Sequence, residues 1–160
     1  MMLLTRFTAF LFLLVSASLW AAGPLVIELK SEKIITLQLA GKAVERREVA
    51  KAVKPSEIIE YRATYKNTGA KDLRGVQAVL PVPNGMTVDL SSAQPVPVQA
   101  STDGRQFYPV PLTRNVRAAD GQLKTVKVPL SEYRALRWSL GVLAAGASRD
   151  VVLRARVNAN

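Results

Sequence analysis

Between Ile58 and Asn67 the chain alternates, with Ile59, Tyr61, Ala63 and Tyr65 on one parity and Glu60, Arg62, Thr64 and Lys66 on the other. A period of two sends one set toward a core and the other toward water. That predicts a half-buried β-strand with Glu60 outward, in a solvated ion pair among Arg and Lys. The alternation returns at Met86, Val88 and Leu90. It returns again at Val151, Leu153, Ala155 and Val157, where Arg154 and Arg156 take the outward positions. Apolar runs predict further strands at Val26–Leu29, at Ile34–Leu39, at Val76–Leu80, and from Arg134 to Leu140 around Trp138. Ala43 to Val53 is charged, with a thin apolar face, and reads as an edge strand and loop.

Turn residues divide these runs. Asn67-Thr68-Gly69 predicts a turn in which Gly69 supplies a positive φ, and Gly41-Lys42 marks another. Pro81-Val82-Pro83-Asn84-Gly85 removes two ladder donors, so a sheet must end or reach an edge there. Asp103-Gly104, between Val96–Ala100 and Arg105–Tyr108, predicts a hairpin. So does Asp120-Gly121, between Leu112–Arg117 and Leu123–Val128. Short strands at close intervals, with no strong helix between them, predict an all-β antiparallel β-sandwich. No region alternates β with α, which argues against a parallel nucleotide-binding sheet.

The first segment reads differently. Met1 to Arg6 carries one cation, Phe7 to Val15 is apolar, and Ser16 to Ala22 turns small. Basic, then apolar, then small is the order of a secretory signal peptide, a helix cleaved after Ala21 that leaves no membrane span. An uncleaved anchor is the competing reading. The chain is therefore expected to be exported, to the periplasm or to the extracellular surface.

Composition narrows the chemistry. The 160 residues contain neither Cys nor His, which removes the usual zinc, copper and haem ligand sets and the Ser–His and Cys–His nucleophile pairs. The neighbouring carboxylates, Glu57 with Glu60, Glu45 with Glu48 and Asp89 with Asp103, suggest no shared cleft of the kind a glycosidase needs. Ser91, Ser92, Ser131 and Ser148 lack a base and read as turn residues. No catalytic residue, cofactor or metal is expected. A formal charge of +10 favours anionic partners, or serves solubility alone.

Three stretches resemble a known family. They are Val53-Lys54-Pro55-Ser56-Glu57-Ile58-Ile59-Glu60-Tyr61 with Tyr65-Lys66-Asn67-Thr68-Gly69, then Leu80-Pro81-Val82-Pro83-Asn84-Gly85-Met86, then Trp138-Ser139-Leu140-Gly141-Val142-Leu143-Ala144-Ala145-Gly146. In this order they resemble the bacterial envelope module called domain of unknown function eleven, often found in tandem copies. The resemblance implies an immunoglobulin-like fold and a structural or adhesive extracytoplasmic role, and it brings no catalytic residues. The chain then divides into a signal peptide (1–21), N-terminal strands (22–52) and a single immunoglobulin-like sandwich (53–160) with Trp138 filling the core. A hairpin excursion at 109–129 departs from the family pattern.

That excursion carries the candidate contact surface. Arg114, Arg117, Lys124 and Lys127 flank Asp120-Gly121, and Arg134 and Arg137 follow, with Tyr108 and Tyr133 nearby. A charged edge kept against aggregation is the bland reading. The functional reading is a contact for an envelope or surface protein, or for an anionic envelope polymer such as lipopolysaccharide or peptidoglycan. Nucleic acid is disfavoured, since an exported protein seldom meets it. The sequence thus predicts a non-enzymatic envelope module for structure or protein interaction, with a soluble binder of an anionic envelope component as the alternative.

Overall fold

The computed structural model describes residues 23–159. The expected signal peptide, residues 1–21, lies outside the described residues. Eleven strands follow: β1 (Leu25–Leu39), β2 (Lys42–Val49), β3 (Ile58–Asn67), β4 (Leu73–Pro81), β5 (Met86–Gln94), β6 (Gln99–Ser101), β7 (Tyr108–Pro109), β8 (Thr113–Arg117), β9 (Leu123–Lys127), β10 (Ala135–Leu143) and β11 (Ser148–Val157). A 3-10 turn, Leu130–Glu132, precedes β10. Among the described residues no helix is long and apolar enough to cross a membrane.

One sheet has the order β2-β1-β3-β11-β5, the other β4-β10-β6-β7, and β8 and β9 pair only with each other. All pairings are antiparallel. The fold is all-β, with two sheets sharing one core in the manner of a β-sandwich. Ile59, Ala63, Tyr65, Val88, Val151 and Leu153 line it from the first sheet, and Ala78, Leu80, Leu136, Trp138 and Leu140 from the second. Trp138 is fully buried, and its indole N–H has no hydrogen-bond partner. Tyr65, Trp138 and Leu153 are buried together with Tyr61 packed against them, the inward positions expected of Tyr61, Tyr65 and Leu153 from strand parity and of Trp138 from the family resemblance.

The two apolar runs predicted in Leu25–Leu39 form one strand. β1 pairs with β3 from Leu25 to Ile34 and with β2 from Glu32 to Leu39. Its turn lies one residue earlier than predicted, since Leu39 faces Lys42 while Ala40 (φ 50) and Gly41 (φ 78) form the corner. Two successive left-handed residues match the twist of the flanking strands. The Pro81-Val82-Pro83 signal resolves both ways at once: β4 is a sheet edge, and it ends at Pro81.

Asn67 anchors the next turn. It is fully buried, and its Nδ2 donates to the carbonyls of Lys71 (2.8 Å), Leu143 (3.0 Å) and Ala144 (3.1 Å), while its Oδ1 accepts from the N–H of Gly69 (2.9 Å). Gly69 is not among the positive-φ glycines, so that expectation is corrected. Its small size matters instead, because a Cβ there would stand 2.8 Å from Cβ of Pro24. The N–H of Thr68 bonds the Pro24 carbonyl at 2.7 Å, which holds the start of β1 against this turn.

The Asp103-Gly104 hairpin has a shorter ladder than predicted, with only Gln99 opposite Pro109 and Ala100 opposite Tyr108. Pro95 and Pro97 lack N–H donors, so the ladder cannot extend back through Val96. Around the corner, side-chain bonds to Asp103 replace cross-strand ones.

Glu60 corrects the sequence reading most. It is only 3% exposed, although it lies on the parity that faces away from the core. Arg47 from β2 and Arg154 from β11 close over its carboxylate, with Nε bonds of 3.0 Å each, and Arg62 approaches at 3.3 Å. Arg154 also makes a two-pronged pair with Glu45 of β2. Burial disfavours ionisation of Glu60, but the Arg47 and Arg154 guanidiniums outweigh it and hold its pKa at about 2. Parity assigned Glu60 its face correctly. What period two does not contain is that arginines from two other strands cover that face.

Candidate functional site

The β8–β9 hairpin stands apart from both sheets but is not loosely attached. Leu112 and Val128, just outside the basal pair Thr113–Lys127, are buried in the common core. The Val128 N–H bonds the Leu112 carbonyl at 2.9 Å. The Leu112 N–H donates to the hydroxyl of the fully buried Tyr133 at 2.8 Å. Above this base, Thr113 faces Lys127, Arg114 faces Val126, Asn115 faces Thr125, Val116 faces Lys124 and Arg117 faces Leu123. Asp120 rounds the corner by accepting from the Gln122 N–H at 3.0 Å.

Residues opposite one another share a face of a ribbon. Arg117 and Lys127 therefore project on one side, and Arg114 and Lys124 on the other. The four are exposed, but they do not form one patch. Arg114 makes a two-pronged pair with Glu132 at 2.6 and 3.1 Å, joining the hairpin to the 3-10 turn. Arg117 donates to the Gly121 carbonyl at 3.1 Å within its own hairpin, and Lys124 lies 4.0 Å from Asp120. Arg134 donates to the Ser131 carbonyl at 2.9 Å. Arg137 belongs to β10, where its guanidinium stacks 4.4 Å above the Phe107 ring and bonds Oε1 of Gln99. Arg134 and Arg137 are therefore engaged locally.

The structure adds a feature that the spacing of cations does not announce. An open cleft of about 450 Å³ lies between the hairpin base and the Asp103-Gly104 corner. Its apolar surfaces come from Tyr108, Pro109, Pro111, Leu112 and Val128, and its polar groups include Asp103, Gln106, Arg114 and Glu132. Oδ1 of Asp103 accepts from the N–H groups of Arg105 (2.8 Å) and Gln106 (2.9 Å) and from Oγ of Ser101 (2.7 Å). These bonds, the backbone ones foremost, hold the Asp103 carboxyl at about 2. Tyr108 is exposed and donates to Oε1 of Gln106 at 2.8 Å, whereas Tyr133 is entirely inside.

In the sequence Arg114 stands out as a cation of the excursion, Asp103 as a turn residue and as a carboxylate neighbour of Asp89 with no sign of a cleft, and Glu132 and Gln106 do not stand out at all. The only linear hint was Tyr108 beside Pro109, an exposed aromatic next to a residue that stiffens the chain. No family model, curated protein or solved structure matches this chain.

Proposed function

We propose that this chain is an exported, non-enzymatic module of the bacterial cell envelope, immunoglobulin-like and related to the domain that its three motifs resemble. Its work is to hold an envelope or surface protein. The observation that carries this reading is the β8–β9 ribbon, which pairs with neither sheet and is fixed at its base by Leu112, Val128 and Tyr133. Both edges of such a ribbon keep unpaired backbone donors and acceptors, so a partner can add a strand and be selected by side chains on either face.

The second reading, an anionic envelope polymer, is favoured by one specific feature. Between Thr113 and Lys127 the chain carries four cations and one carboxylate, Asp120. Salt separates the two. A polymer held by exposed charge is released as ionic strength rises and the Debye length shrinks from about 10 Å to about 3 Å. Strand addition is much less sensitive.

The test is replacement of residues 114–126 by a short Gly-containing turn, keeping Leu112 and Val128, followed by capture from an envelope fraction. Loop shortening changes stability only slowly, so the variant should fold and lose the partner. A folded variant that keeps its partner refutes the reading. Failure to fold would show the ribbon to be core structure.

A further inference from the structure

We propose that the cleft at the base of the β8–β9 ribbon binds an uncharged saccharide, stacked on Tyr108 and hydrogen-bonded by Asp103, Gln106, Arg114 and Glu132. The proposal rests on the reading of this region as a binding surface and names what one part of it takes. At about 450 Å³ the cleft lies within the range of small-ligand sites. Its lining joins apolar surfaces to polar groups, as a ligand with C–H faces and hydroxyl edges requires.

Each polar group keeps unused capacity. All three bonds to the Asp103 carboxylate described above fall on Oδ1. Oδ2 is left to accept from a hydroxyl. Gln106 spends its Oε1 on the Tyr108 hydroxyl, and its amide NH2 can donate to a ligand oxygen. Arg114 uses two of its five N–H donors on Glu132, whose oxygens each retain a lone pair.

Charge decides the ligand class. Two carboxylates and one guanidinium give the cleft a net negative charge within a strongly basic chain. An anionic ligand would meet Asp103 and Glu132, and a wholly apolar one would strip water from three charges without replacing its bonds. A polyol hydroxyl donates to the carboxylates and accepts from the guanidinium, so it satisfies both signs at once. The site is also preformed, since the Asp103 corner, the Arg114–Glu132 pair and the Tyr133–Leu112 bond fix its walls. Little ordering is left for binding to cost.

The test is amide NMR titration of the purified protein with maltohexaose, cellohexaose and chitohexaose, with heparin and an oligoproline peptide run beside them. At least one neutral hexasaccharide should give saturable shifts confined to segments 102–114 and 128–132. Tyr108→Ala should weaken it tenfold or more with the far-ultraviolet spectrum unchanged, and Tyr108→Phe should restore most of the affinity. Gln106→Ala, at a second exposed position, should also weaken it. The proposal falls if no hexasaccharide shifts these residues, if binding survives Tyr108→Ala, or if heparin or the peptide takes the cleft instead. A Tyr108→Ala protein that still captures its envelope partner would show that docking on the ribbon stands independently of the saccharide.

Discussion

Replacing Glu60 by Gln removes one negative charge from beneath Arg47 and Arg154 while keeping the side chain's volume and an acceptor oxygen. The folded-state pKa is about 2 against an ordinary 4.5, so the native state binds the proton more weakly than the unfolded chain does. Stability from this group is therefore fully present above about pH 4.5 and is lost as pH falls toward about 2. The drop from 4.5 to about 2, at about 1.36 kcal/mol for each tenfold in proton affinity, amounts to about 3 kcal/mol at neutral pH. Glu60→Gln should cost that much in urea unfolding at pH 7. Urea is the right denaturant because it does not screen ion pairs as guanidinium salts do. The gap between wild type and variant should close to less than about 1 kcal/mol near pH 2. Acids remote from the cage, Asp103 among them, titrate in both proteins and cancel in the difference. A gap that stays constant with pH, or one below about 1 kcal/mol at pH 7, would refute the cage as an electrostatic clamp.

Trp138→Ala should cost about 3–5 kcal/mol in the same assay, the range for deleting a large buried aromatic, and a loss below about 1 kcal/mol would place Trp138 outside the core. Asn67→Ala leaves the Gly69 N–H and the carbonyls of Leu143 and Ala144 without their side-chain partner. It should cost about 2–4 kcal/mol by thermal or urea unfolding, and a neutral effect would show that water replaces the amide. Export with cleavage after Ala21 is checked by sequencing the N-terminus of protein from the envelope fraction. A chain that still begins at Met1 or Met2 would disprove it.

Most strands were legible in the residues alone, because a side-chain period of two is a local property. Ile59, Ala63 and Tyr65 could be assigned inward, and Asp120-Gly121 could be read as the corner between Leu112–Arg117 and Leu123–Val128, with no knowledge of what lay opposite. Pro81 likewise marked the end of β4, since a missing N–H is missing in any fold. The rest depends on residues far apart in the chain. Glu60 looked solvated because nothing near it in sequence covers it, yet arginines 13 residues before it and 94 after it enclose its carboxylate. Gly69 looked like a residue chosen for its φ, but what it accommodates is Pro24, brought there by the pairing of β1 with β3. The excursion announced its cations, whose alternation along β8 and β9 then divided them between two faces. The cleft beneath them needed Asp103 from one corner, Arg114 from the ribbon and Glu132 from the turn before β10. Those three are brought together by the buried positions of Leu112, Val128 and Tyr133, and no local pattern records that convergence.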